Sequence, residues 1–323
     1  MKVKLSSFLQ SKFNVFLYQR LGWKICINYL LFMGGLYYLV KKKERDIISE
    51  SVRQVFRHQK DENELKVITR NVFKGTLYHY FEKIFNAYEN IDNLCKFYNK
   101  SISMDRSNIL DDALKNGKGV MFVTGHYGAI EYIPIFLALK KYPISVVVKF
   151  ATKQLEDSLY SKTKDIGLRI INANQDKNVL RTIIKELKQN RLVFIECDEI
   201  EEWKPSKKEN MWFLGKRIGV DKTIDLIHRR TKAEVVFGLL HRINLQQYKL
   251  ILQNYDGILS FFNNRNYSVG EAVLKYLEQY IYSFPQAWYQ WKNYTHIENL
   301  NAFDRIPKGP TPTRLLEPAF GQF

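Results

Sequence analysis

The chain has 323 residues, 46% of them hydrophobic, enough to bury a substantial core and to exclude disorder throughout. Fifty Lys and Arg against 33 Asp and Glu leave a formal charge of +17, an excess that draws anionic partners such as nucleic acid, a phospholipid surface or an acidic protein. Cys26, Cys95 and Cys197 are far apart with no C-x-x-C pair, and H-E-x-x-H, a Walker loop and G-x-G-x-x-G do not occur, which removes the disulfide-framework, structural-zinc, zinc-protease, P-loop and dinucleotide readings.

Residues 25–40, "ICINYLLFMGGLYYLV", carry no charge and are closed by Lys41, Lys42 and Lys43. As a helix they span about 24 Å against a hydrocarbon core of roughly 30 Å, the lower limit for crossing a bilayer. Such a run either crosses, lies partly sunk in one face, or forms a buried core helix. The preceding "FLQSKFNVFLYQRLGW" mixes aromatic residues with Lys and Arg, as an interfacial helix does, and this favours a membrane role. No A-x-A cleavage site follows, so residues 1–43 are expected to form a retained anchor with an interfacial helix. The lysine triplet then places the rest of the chain on the cytoplasmic side.

Residues 44–110 read as a helical segment packing on the core, with "KVITRNVFKGTLYHYFEKIF" setting apolar residues three and four apart. His58 and His79 read there as ordinary helix residues. From 111 to 300 the rhythm changes to an α/β pattern. "VMFVT" (120–124), "SVVVKF" (145–150), "RII" and "LVFIEC" (192–197) are expected strands separated by helices, which predicts a mainly parallel sheet flanked by helices. "EVVFGLL" and "YKLILQNY" have no helix between them and predict an antiparallel extension. The proline-containing end, 301–323, reads as an irregular tail.

Ligands of an open parallel sheet collect at the carboxyl ends of its strands. His126, Lys149 and Asp198 all fall at such ends. His126 and Glu131 are five apart, so on one continuous helix they point about 140° from each other and meet only if His126 precedes the helix. Gly125 and Gly128 allow that turn. A carboxylate on one imidazole nitrogen would fix the tautomer while the other nitrogen deprotonates an alcohol. The amides near Tyr127 to Ala129 would face a developing oxyanion. The alternatives are a turn histidine satisfied by hydrogen bonds, a capping or loop carboxylate at Asp198, and a solvated lysine at Lys149.

"GHYGAIE" resembles the H-x-x-x-x-D/E motif of lysophospholipid-type acyltransferases, in particular the form found in the bacterial lipid A biosynthesis (late) acyltransferases. The later order is similar too, with "DIGLRII", "LKQNRLVFIECDE", "MWFLGKRIGV" and "SFPQAWYQWKNY" in sequence. The resemblance implies His126 as general base, Glu131 as its orienting carboxylate, and Gly125, Tyr127, Gly128, Lys149, Lys164, Asp198, Gly215 and Arg217 around the substrates. Lysine stands at 149, and at or near 164, where the family more often has arginine, and Glu199 stands where glutamine is common. Lysine is a point charge without arginine's bidentate contacts.

The chain therefore reads as a membrane-associated O-acyltransferase of the bacterial inner membrane with its catalytic domain on the cytoplasmic face. It would move a fatty acyl group from acyl carrier protein or acyl-CoA to a hydroxyl of a lipid or glycolipid such as a lipid A precursor. Another glycolipid, aminolipid or pigment headgroup is the alternative acceptor. No cofactor, metal or nucleic acid is expected, and an anionic membrane surface is the expected platform. The reading from another class is a non-enzymatic basic protein that binds nucleic acid or anionic lipid through its charge and aromatic residues.

Overall fold

A seven-stranded sheet organises residues 12–300, the part of the chain that the computed structural model describes. The expected tail, 301–323, and the first eleven residues of the expected anchor lie outside the described residues. The helices are α1 (Lys12–Leu21), α2 (Trp23–Val40), α3 (Lys42–Phe56), α4 (Glu62–Tyr88), α5 (Ile91–Ser101), α6 (Asn108–Lys115), α7 (Ile133–Leu139), α8 (Lys153–Thr163), α9 (Val179–Lys188), α10 (Thr223–Thr231), α11 (Tyr255–Phe261) and α12 (Val269–Ser283). The strands are β1 (Ile102–Ser103), β2 (Val120–Thr124), β3 (Ile144–Val148), β4 (Arg169–Asn172), β5 (Leu192–Glu196), β6 (Pro205–Phe213), β7 (Lys216–Asp221), β8 (Glu234–Asn244) and β9 (Gln247–Asn254).

The sheet order is β1-β9-β8-β2-β5-β3-β4, with every neighbouring pair parallel except β8 with β9. Helices cover both faces, so the central strands are β-branched and apolar along their whole length rather than alternating with polar residues. All five residues of β2 are buried. Met121 and Val123 enter one core together with α9, α10 and α12, while Val120 and Phe122 enter a second core with α5, α6 and α7. The α/β architecture with a mainly parallel sheet and an antiparallel part is as the strand spacing predicts.

"MWFLGKRIGV" leads into α10 and also holds the turn of a separate antiparallel hairpin, β6–β7, in which Leu214 and Gly215 both adopt positive φ. Among the described residues no helix is long and apolar enough to cross a membrane. The uncharged run forms α2, whose Cys26, Ile27, Leu30, Gly34 and Tyr38 turn inward. At Gly34 a Cβ would stand 2.2 Å from Leu77 Cδ2, so the missing side chain lets α2 lie against α4. Ile25, Phe32, Leu36, Leu39 and Val40 on its other side remain exposed.

Candidate active site

Strands β2 and β5 are adjacent and parallel, with Thr124 opposite Glu196. The chain leaves both strands side by side, so His126 and Asp198, each two residues past that pair, are brought together. The Cys197 amide donates to the Thr124 carbonyl at 2.8 Å and extends the ladder one step further. Asp198 is fully buried. Its Oδ1 lies 2.9 Å from His126 Nδ1, its two oxygens share the His126 amide at 2.9 and 3.0 Å, and Oδ2 accepts from Trp288 Nε1 at 2.7 Å. An ionised carboxylate only accepts, so Nδ1 carries the hydrogen and Nε2 is the atom turned towards other partners.

The turn that carries His126 is clamped from three sides. The Gly128 amide donates to the Ala287 carbonyl at 2.8 Å, the Ala129 amide to Leu240 at 2.9 Å, and the Tyr127 amide to Gly125 at 2.6 Å. These amides are therefore committed to the fold, which corrects the expectation that they face an oxyanion. Gly128 has φ 58°, and a Cβ there would come within 2.0 Å of the Leu240 carbonyl oxygen. Arg242 of β8 makes a buried bidentate pair with Glu82 of α4, 2.5 Å at each contact, and also donates to the Gly128 carbonyl at 3.2 Å. Tyr127 is buried with its hydroxyl hydrogen-bonded to His241 Nδ1 at 2.7 Å, a packing position rather than one facing substrate.

His126 Nε2 faces Glu196 and Glu199, each at 3.5 Å. Burial opposes charge on the imidazole, but Glu196, Asp198 and Glu199 together outweigh it and raise its pKa to about 10. Burial raises Glu196, and it raises Glu199 to about 7 against the pull of His126. The two carboxylates beside Nε2 thus favour the protonated imidazole. Among the described residues, His126, Glu196 and Glu199 are the group spaced to hold a cation, their ligand atoms all lying within 4.8 Å of one another. A cation there would occupy the Nε2 lone pair that a base requires.

Glu131 stands elsewhere. It lies in a 3-10 turn, Ile130–Tyr132, ahead of α7, as the requirement for a turn at His126 anticipates. Its Oε1 is 3.1 Å from Lys83 Nζ and 3.9 Å from His79 Nε2, and no ion pair of the described residues joins it to His126. The carboxylate against His126 Nδ1 is that of Asp198, because adjacent strands bring residues 126 and 198 together. Glu131 raises the pKa of half-buried Lys83, keeping that ammonium charged. His79, stacked on Tyr289 with ring centroids 3.6 Å apart, is held well below its ordinary pKa by burial and then by Lys83, and is neutral. Lys83 and His79 are site residues that the sequence reading passes over. Their signal is that His79, Lys83 and Asn86 share one face of α4, at i, i+4 and i+7, within its mostly buried stretch from Leu77 to Ala87.

These groups line a cleft of about 690 Å³ on the carboxyl side of β2, β3 and β5. Lys149 also lines it, exposed and paired with Glu202 at 2.9 Å. The other predicted contacts do not. Lys164 is an exposed residue at the end of α8, and Gly215 and Arg217 belong to the β6–β7 hairpin, where Arg217 Nε donates to Asn210 at 2.6 Å. Gly125 sits where a Cβ would be 2.4 Å from Leu277, so its role is close packing. Glu44, Glu131, Glu196, Glu199 and Glu201 face the cleft against Lys83, Lys149 and Lys292.

A histidine fixed on one nitrogen by a buried aspartate, with the other nitrogen towards a cleft and an ammonium nearby, can move a proton from a hydroxyl and stabilise the negative charge that follows. No curated protein matches this sequence. The family model of the bacterial lipid A biosynthesis acyltransferases does, over residues 14–289, a span that holds His79, Lys83, His126, Glu131, Glu196, Asp198, Glu199 and Trp288. The chain belongs to the bacterial lipid A biosynthesis acyltransferase family and is an acyltransferase acting between an acyl donor and a lipid acceptor.

Proposed function

We propose that this acyltransferase moves a fatty acyl group from a thioester to a hydroxyl of its lipid acceptor with His126 as the base. The acceptor hydroxyl enters against Nε2, displacing the contacts of Glu196 and Glu199, and the proton held there passes to these carboxylates or to water. The freed Nε2 takes the hydroxyl proton while the oxygen attacks the thioester carbonyl. Asp198 holds Nδ1–H and stabilises the imidazolium. The oxyanion lies within the field of Lys83, kept charged by Glu131. Collapse breaks the carbon–sulfur bond, and the imidazolium returns its proton to the departing thiolate. The His126–Asp198 contact at 2.9 Å is the observation that carries this assignment.

The acceptor is the finer question. A diphosphorylated sugar would bring several negative charges to a cleft whose five glutamates are matched by three lysines and the His126 imidazolium, which leaves no excess of positive charge to hold it. This supports an acceptor whose headgroup is neutral or cationic at the reacting end, with Lys149 and Lys292 left for the donor's phosphopantetheine arm. The exposed apolar face of α2 supports attachment at one leaflet, with the helix lying in the interface rather than crossing. Lipid extracts from cells with and without the protein, compared by mass, test the reading. One lipid should differ by a single acyl group, and identical extracts would contradict it.

A further inference from the structure

Helix α4 separates two cavities. One face, bearing His79, Lys83 and Asn86, lines the acyltransferase cleft; the opposite face, turned about 180° away and bearing Phe81, Ile84, Phe85 and Tyr88, lines a second cavity of about 520 Å³ beneath α1 and α2. Its volume is that of a small-molecule site. Trp23, Cys26 and the α4 residues make its walls apolar, and Glu89, Asn90 and Asn93 supply its polar part. Tyr18 and Tyr88 also line it, and their buried hydroxyl oxygens have no hydrogen-bond partner among the described residues. Tyr18 is 9% exposed. Buried hydroxyls are normally paired, so two orphans at one cavity mark a place where an acceptor is missing.

We propose that this cavity binds an uncharged single-chain lipid ester. The acyl chain lies against Trp23, Phe81, Ile84 and Phe85, and the ester carbonyl accepts from Tyr18 and Tyr88 after small ring movements. Hydroxyls of the head donate to Glu89, whose carboxylate disfavours a free fatty acid at the same place. The route in is short, because Phe16, Leu21 and Ile25 expose an apolar surface on the same two helices. The site lies outside the catalytic cleft and does not depend on the roles given to His126 or Asp198.

The test uses the full chain and a monoacylglycerol carrying a diazirine in its acyl chain. After illumination, the label should map to peptides around Trp23, Cys26 and residues 81–93, and unlabelled monoacylglycerol should compete it away. Combined Tyr18→Phe and Tyr88→Phe should reduce that labelling about tenfold, the effect of losing two ordinary hydrogen bonds. The same variant should melt at or above the wild-type temperature without lipid, since it removes only unpartnered hydroxyls. Label confined to the catalytic cleft or to Phe32 and Leu39, equal labelling of the double variant, or a fall in its melting temperature would each overturn the proposal.

Discussion

Replacing Asp198 by asparagine keeps the size of the side chain and changes only what it can accept. Three donors converge on its oxygens: the His126 amide, His126 Nδ1–H and Trp288 Nε1–H, at 2.7 to 3.0 Å. An amide nitrogen must take the place of one oxygen, so one buried donor loses its acceptor, at a cost of about 1–3 kcal/mol in stability. Facing the imidazole, the amide would force the proton onto Nε2 and leave no base. Facing Trp288, it would keep the tautomer but lose the charge that stabilises the imidazolium. Either orientation lowers turnover by about 10² to 10⁴, the range seen when a buried orienting carboxylate is made neutral. The assay is acyl transfer from thioester to lipid, normalised to folded protein, with a thermal melt beside it. Turnover within a few-fold of wild type in a stably folded Asp198→Asn protein would refute the orienting role.

Glu131→Gln should lower turnover by about tenfold, chiefly by releasing Lys83 from its partner, and less than Asp198→Asn; the reverse order in the same assay would return Glu131 to the orienting position. Gly128→Ala should cost about 2 kcal/mol or more in chemical denaturation, since the new Cβ meets the Leu240 backbone at a positive φ. Glu199 has a folded pKa of about 7 against an ordinary 4.5, so the folded state binds the extra proton and stability falls as pH rises from 4.5 through 7. With its side chain 38% exposed, screening leaves roughly 1 kcal/mol of that effect, and Glu199→Gln should flatten the melting temperature across this window. Combined Phe32→Ser and Leu39→Ser on the exposed face of α2 should weaken flotation with anionic vesicles while leaving the melting temperature unchanged; equal flotation would argue against an interfacial α2.

The sheet was legible because strands buried on both faces must be largely apolar and β-branched, and "VMFVT" and "LVFIEC" stand out between polar segments. The β6–β7 hairpin was not. "PSKKENMWF" is charged over much of its length and has no alternation, and its turn uses Leu214 at positive φ instead of the Asn-Gly or Asp-Gly pair that marks such turns. His126 and Asp198 were each visible at a strand end, but their contact depends on β2 lying beside β5, a pairing of strands with about 70 residues between them that periodicity does not encode. For that reason Glu131, though near His126 in sequence, meets Lys83 and His79 instead. Lys83 and His79 belong to a helix whose orientation is set by its docking through Arg242 and Glu82, and that docking is a tertiary fact. The uncharged 25–40 run carried an ambiguity that length alone leaves open, and packing of Cys26, Leu30 and Gly34 against the core resolved it against a crossing helix.

The most direct test of the account is the acyl-transfer rate of His126→Ala, measured from a thioester donor to extracted lipid and expressed per folded molecule. His126 sits in a turn fixed by backbone hydrogen bonds that alanine retains, so the variant should fold, with a loss of about 1–3 kcal/mol because buried Asp198 loses one donor. Its turnover should fall by about 10² to 10⁴ across the pH range, with no recovery at high pH because the base itself is gone. A His126→Ala enzyme that transfers acyl groups within a few-fold of wild type would contradict the assignment of His126 as the base.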